Sequence, residues 1–153
     1  MLLPHVNVYL YAMREESPDH SAYREWLEDS LGGVEPVGVS ELVLSVFLRI
    51  VTNHRVYNEP TAMTTAIEFC RVVLDAPAAV PVRPGLRHWP IFLDPCHRSG
   101  ARANQVPDAY LAALALESGA TMITTDQGMQ RYAGLRVAHP LGISTRHPSA
   151  LAD

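Results

Sequence analysis

Three acidic residues stand where a strand-like run of residues gives way to a helical pattern. Glu41 follows the apolar residues 37–39, Asp126 follows residues 121–125, and Asp108 opens a helical run that begins at Pro107. In open parallel sheets, functional groups gather in the crevice beyond the carboxyl ends of the strands. Each acid also lies at or near a helix N-terminus, where the dipole favours a carboxylate. An acid in a first turn is an ordinary capping choice, so one such residue carries little weight; three at the same end of one sheet carry more. Carboxylates brought together raise one another's pKa unless a cation neutralises them. Oxygen ligands without a thiolate or a paired histidine suit Mg2+ or Mn2+. Such a site positions a phosphate, activates water and screens a leaving oxygen.

The elements that must position these acids follow from hydrophobic period and from helix start and stop residues. Residues 2–3 open an apolar segment, and residues 6–11 fit either a strand or a buried helical turn. Ser17-Pro18 supplies an N-cap followed by proline at the first helical position, after which Tyr23, Trp26, Leu27 and Leu31 recur on one face until Gly32-Gly33. A short strand at 37–39 leads to Ser40 as cap and an apolar helix from Glu41 to about Thr52. Another helix begins at Pro60-Thr61, runs through Ile67, Cys70, Val73 and Leu74 and stops at Pro77; residues 79–82 then form a strand. Between Gly85 and Gly100 the pattern is amphipathic, but Pro90 and Pro95 predict a broken or shortened helix. The strongest helix covers residues 107–116, with Gly119 at its stop. A strand at 121–125, a short helix at 127–132, a turn at Gly134 and a strand at 135–138 complete the pattern. Strands alternating with helices predict a three-layer α/β/α fold around a mainly parallel central sheet.

Composition narrows the classes. With 153 residues, 48% of them hydrophobic, the chain makes one core and a single domain over residues 1–153, of which those from about 142 form a C-terminal tail. Lysine is absent, and twelve arginines face seven aspartates and nine glutamates for a net charge of −4. That excludes a globally basic nucleic-acid binder and leaves room for a local basic track. No apolar run approaches the roughly 20 residues of a membrane helix. The first residues lack a basic leader and a small-residue cleavage site, so a soluble, cytoplasmic chain is expected. Cys70 and Cys96 lack C-x-x-C spacing and read as buried or half-buried free thiols in a reducing compartment. No two of the seven histidines have H-E-x-x-H spacing, and most are expected at the surface or in loops. Neither G-x-G-x-x-G nor G-x-x-x-x-G-K-[ST] occurs, which sets aside a nucleotide-binding doubly wound domain.

Four short motifs, in order, resemble one family. Leu2-Leu3-Pro4-His5-Val6-Asn7-Val8-Tyr9-Leu10-Tyr11-Ala12 looks like a strand ending in an acid, then x-Asn-x and an apolar helical turn. Ser40-Glu41-Leu42-Val43-Leu44 is similar to a second acid before a leucine-rich helix. Residues 108–115 match an Asp-Ala-x-Leu-Ala-Ala-Leu-Ala helix, and Thr124-Thr125-Asp126 matches Thr-x-Asp. Gly134-Leu135-Arg136 and His139-Pro140-Leu141 resemble a final strand and its exit. Together they resemble the PIN-domain ribonucleases, and more closely the VapC-type toxins of toxin–antitoxin pairs, over nearly the whole chain. The resemblance implies a very short first strand ending near His5, with residues 6–12 helical.

It also implies a metal-dependent endoribonuclease in which His5, Glu41, Asp108 and Asp126 are the catalytic and metal-holding residues, with Mg2+ or Mn2+ as cofactor. His5 stands where the family pattern has aspartate. A neutral imidazole ligates Mn2+ but poorly ligates Mg2+, and beside carboxylates its pKa is expected to rise, giving a cation that competes with the metal. Little Mg2+-dependent activity is therefore expected, and a catalytically silent PIN-fold module that binds antitoxin or RNA is the alternative. By resemblance Asn7 orients the first site residue or a metal-bound water, and Thr124 and Thr125 are placed to hydrogen-bond the acids. Arg14, Arg49, Arg55, Arg98 and Arg102 are candidates for RNA backbone contact, each with an ordinary solvated charge or ion pair as the competing role. The implied partners are a VapB-type antitoxin, whose C-terminal segment fills the acidic groove, an RNA substrate and a second copy of the chain. Tyr23, Trp26, Leu27 and Phe47 fit a dimer interface or the core, with core as the default.

Overall fold

Five strands of three residues each carry the architecture of the computed structural model, which describes residues 1–142 apart from 100, 101 and 104. They are β1 (Leu2–Pro4), β2 (Val37–Val39), β3 (Ala79–Pro81), β4 (Thr121–Ile123) and β5 (Arg136–Ala138). Their spatial order is β3-β2-β1-β4-β5, and every neighbouring pair is parallel. Three central strands buried on both faces read as continuous apolar runs: Leu3, Val37, Met122 and Ile123 have no exposed surface. Gly38 belongs to that packing, since a Cβ there would lie 2.8 Å from Val82 Cγ2 and 3.1 Å from Leu3 Cδ1.

The helices are α1 (Val6–Met13), α2 (His20–Gly32), α3 (Glu41–Val51), α4 (Met63–Leu74), α5 (His88–Ser99) and α6 (Gln105–Ser118). Two short 3-10 helices, Gln127–Arg131 and Pro140–Gly142, flank β5. α1 packs on α2 and α3, α3 packs on α4, and α5 packs on α6. From β1 the chain steps outward to β2 and β3, then crosses back to β4 and β5. With right-handed crossovers that reversal sends the two groups of helices to opposite faces, which makes the three layers. Tyr9, Phe47 and Phe69 meet between α1, α3 and α4, and Tyr23, Trp26, Leu27 and Phe47 are core residues. Cys70 is buried and Cys96 half-buried, both free.

Several boundaries differ from expectation for local reasons. Residues 6–13 form a full helix. α2 begins at His20 instead of just after Ser17, because Asp19 takes a left-handed conformation (φ 56°) ahead of the first turn. α4 begins at Met63, and α6 begins at Gln105, two residues before Pro107; proline fits anywhere in a first turn, where its missing N–H has no intrahelical acceptor. The largest correction is α5, which is a continuous helix from His88 through Pro95 and not a broken one. Pro90 falls in its first turn. Pro95 brings no N–H to the preceding turn, yet Phe92 and His88 pack against Tyr110 of α6, and that burial outweighs one lost backbone bond. His88 is correspondingly not a surface residue: it is buried, with Nε2 3.0 Å from the Tyr110 carbonyl. Among the described residues no helix is long and apolar enough to cross a membrane. The expected C-terminal tail lies outside the described residues beyond Gly142.

Candidate functional site

The strand order reverses between β1 and β4, so the crevice at their carboxyl ends is where a parallel sheet collects functional groups. His5 leaves β1 there, its backbone N–H donating to the Ile123 carbonyl (2.9 Å), and Thr124 leaves β4 alongside. Thr124 is buried, and its hydroxyl is shared by three groups. His5 Nδ1 lies at 3.1 Å, Asn7 Nδ2 donates at 2.9 Å, and the Asp126 backbone N–H donates at 3.0 Å. Asp126 caps the 3-10 helix Gln127–Arg131 by accepting from the Gly128 N–H at 2.7 Å. A Cβ at Gly128 would sit 2.8 Å from that Asp126 Oδ1 and 2.5 Å from Arg131 Nη2, so a side chain there would push both groups aside. Asp108, in the first turn of α6, brings Oδ1 to 3.8 Å from His5 Nε2.

Burial decides the protonation of this group. Desolvation holds the His5 imidazole below its ordinary pKa, and the opposing pull of Asp108 and Asp126 does not overcome it. The expectation of a raised His5 pKa is thereby corrected: the side chain is only 12% exposed, and loss of water outweighs its neighbours' charge. The Asp108 carboxyl is pushed up, first by burial, with His5 pulling it down and Asp126 adding to the rise. Arg131 also draws Asp108 downward, and its Nε donates to the Gly128 carbonyl at 2.7 Å. Sequence reading missed Arg131, because only the 3-10 turn curls residue 131 back over residues 126–128.

Glu41 opens α3 at the end of β2, one strand away from the reversal. There it pairs with Arg83, at 2.5 Å, both side chains 68% exposed. Among the described residues no three His, Cys, Asp or Glu side chains converge closely enough to hold a metal ion. The donors present fit an open cation site and not a closed cage. The 3.8 Å gap between His5 Nε2 and Asp108 Oδ1 is too long for a hydrogen bond. It is short enough for one cation, with ligand distances of about 2.1 Å, to touch both atoms. Beside this pair runs a groove of about 500 Å3 between α1, α3 and α6, polar at His5 and Asp108 and apolar along Val6, Leu42, Val46 and Leu111.

The arginines divide. Arg14 is held by Thr61 Oγ1 at 2.7 Å, the Glu59 carbonyl at 2.9 Å and Glu16, and lies over the Tyr57 ring, so it is structural. Arg98 pairs with Asp94 at 2.8 Å. Arg49 lines the groove, exposed and without an ion pair among the described residues. For Arg55 and Arg102 the described bonds are backbone ones, to Asn53 Oδ1 and Gln105 Oε1.

The model of the PIN domain family matches residues 6–135. Ribonuclease VapC43 of Mycobacterium tuberculosis is 43% identical over 141 residues, covering 92% of this chain and 96% of that protein. The chain belongs to the PIN-domain family of VapC-type ribonucleases. Ribonuclease VapC25 of the same organism is 34% identical over 140 residues, covering 92% of this chain and 99% of that protein. Among solved structures, VapBC2 from Rickettsia felis, bound to a promoter DNA fragment, has a TM-score of 0.64 at 15% identity and covers 90% of this chain and 97% of that one. FitAcB from Neisseria gonorrhoeae gives 0.59 at 20% identity, covering 94% and 100%. At those identities the structures speak for the fold, the three-layer PIN arrangement. The VapC-type relatives speak for a nuclease, and the β1–β4 crevice is the place in this PIN domain where acids converge.

Proposed function

We propose that this chain is the endoribonuclease toxin of a toxin–antitoxin pair, that it depends on Mg2+ or Mn2+, and that His5 impairs it. The observation that carries the reading is the crevice itself, where Asp108 and Asp126 meet at the strand reversal in a chain of VapC type. His5 and Asp108 would hold the cation, with Asp126 drawn toward it on binding, and the cation would polarise a scissile phosphate and acidify water. Asp108, at the edge of the groove beside His5, is the group placed to take a proton from the attacking water. Arg131 and Arg49 are placed for the phosphates of the RNA backbone. Glu41 would join as the remaining ligand by leaving Arg83, an exchange that costs little because an exposed ion pair contributes only about 0–1 kcal/mol.

The test is cleavage of a structured RNA, with Mg2+ and with Mn2+, by this chain and by His5→Asp. The unaltered chain should cut little with Mg2+, and His5→Asp should cut strongly. Robust cutting by the unaltered chain, unchanged in the variant, would remove position 5 from the site. The second reading, a silent module that captures antitoxin or RNA, is favoured by the imidazole against Asp108 and by Glu41 standing with Arg83. If neither the chain nor His5→Asp binds cation or cuts, that reading replaces the first.

The partner we infer is a VapB-type antitoxin with a cationic C-terminal segment, since the groove is apolar along its length and acidic at its end. VapBC2 is described as bound to promoter DNA, which suits such a pair. A homodimer and a cytoplasmic location complete the proposal. Light scattering on the isolated chain tests the dimer.

A further inference from the structure

The Thr124 hydroxyl constrains this crevice as much as the acids do. A hydroxyl has one hydrogen to give and two lone pairs. The Asn7 amide and the Asp126 N–H both donate to Thr124 Oγ1, which fills both lone pairs. Thr124 is 3% exposed, leaving no room for bulk water, so its own hydrogen goes to the remaining neighbour, His5 Nδ1, at 3.1 Å. A neutral His5 that accepts at Nδ1 carries its proton on Nε2, aimed at Asp108 Oδ1. In that form Nε2 turns its N–H toward the carboxylate, 3.8 Å away, and has no lone pair for a cation.

The opposite arrangement is also built in. Asn7 Oδ1 is buried and has no hydrogen-bond partner among the described residues. A half-turn of the Asn7 amide would bring Oδ1 to Thr124, whose hydroxyl would then donate to it. The lone pair so released would accept from His5 Nδ1–H, and Nε2 would face Asp108 bare. Two electron-rich atoms facing each other are unfavourable unless a cation lies between them.

We propose that Asn7, Thr124 and His5 form a reversible hydrogen-bond relay whose direction sets whether Nε2 faces Asp108 as a donor or as a ligand, the cation-free protein holding it as a donor. Thr124 and Asn7 are thus positioning residues, acting on the cation through the tautomer of His5. The inference deepens the proposed cation site and rests on His5 facing it, but its measurement needs no RNA.

Long-range 1H–15N correlation spectra of the full chain separate protonated from bare imidazole nitrogens, and His5→Gln identifies the His5 signals by their loss. Without added cation the expected pattern is a protonated Nε2 and a bare Nδ1. Saturating Zn2+, a diamagnetic probe, should move the proton to Nδ1. A cation-free protein already protonated at Nδ1 would overturn the relay, and so would Zn2+ that leaves the His5 pattern unchanged. Thr124→Ser keeps the hydroxyl and should reverse like the parent. Thr124→Val should weaken Zn2+ binding by about tenfold, as loss of an outer-shell partner does. Parent-like affinity in a folded Thr124→Val protein would sink the proposal, and if that variant does not fold, the serine variant and the two spectra decide. The wrong tautomer in this chain together with strong cleavage by His5→Asp would sink the relay alone, whereas the expected reversal in this chain with no cleavage by His5→Asp would sink only the nuclease reading.

Discussion

The β1–β4 junction and the β2–β3 junction lie on the same edge of the sheet, and each presents a carboxylate at a helix start. At the first, Asp108 sits against His5 in a partly dry crevice, with its carboxyl pushed up and an imidazole held neutral. At the second, Glu41 stands in solvent, answered by Arg83. Both are carboxylates in the first turn of a helix, and the neighbouring strands differ. Where the strand order reverses, loops part and leave a crevice in which side chains meet partly shielded from solvent. One strand away they do not part, and an arginine from the end of β3 neutralises the acid at small energetic cost. A carboxylate becomes a site by convergence and burial, not by its place in a helix.

That contrast can be broken or sharpened by substitution. The largest effect expected is from His5→Asp, which places a third carboxylate in the buried junction: RNA cleavage with Mg2+ should rise by on the order of a hundredfold or more, the scale of a positioned catalytic group. In the His5→Asp background, Asp126→Asn or Asp108→Asn should weaken Mn2+ binding, measured by calorimetry, by at least the roughly 10–100-fold of an outer-shell loss. Glu41→Gln should weaken it less than either, because its carboxylate starts in solvent and already has a cationic partner. A larger loss from Glu41→Gln than from Asp126→Asn would reverse the comparison.

Smaller effects concern stability. Asp108 holds its proton more tightly in the fold than in the unfolded chain, so its contribution is complete below the ordinary aspartate range, about pH 4, and is lost as pH rises through its raised pKa. Asp108→Asn should therefore melt slightly above the parent at neutral pH, and the difference should vanish in acid. His5 has the opposite sign: its depressed pKa favours the fold above the ordinary imidazole range and is lost as pH falls through the depressed value. The smallest effect is at the exposed pair, where Arg83→Ala should change stability by no more than about 0.5 kcal/mol in chemical denaturation.

Much of the fold was legible in the chain. The caps, glycine stops and apolar periods marked most strands and helices, including the short strands that lead to Glu41 and Asp126. Residues 6–11 stayed open between strand and helix until the family resemblance read them as helical. Pro95 misled because a local rule about one backbone bond was outvoted by the packing of Phe92 on Tyr110, a contact 18 residues apart in sequence. His5 misled in a similar way: charge counting raises its pKa, and only the burial of the ring lowers it. Arg131 was illegible because a 3-10 turn brings it back over Asp126, and single-residue spacing carries no sign of that.

What the sequence determined by itself was the class of the protein and the identity of its candidate acids, since both depend on residue types at short spacing. Which acids meet was decided by tertiary structure. Strand order places the reversal between β1 and β4, and it is this that gathers His5, Asp108, Thr124 and Asp126 while leaving Glu41 with Arg83. No local pattern encodes strand order, because it arises from contacts between segments more than a hundred residues apart, such as Leu3 with Met122.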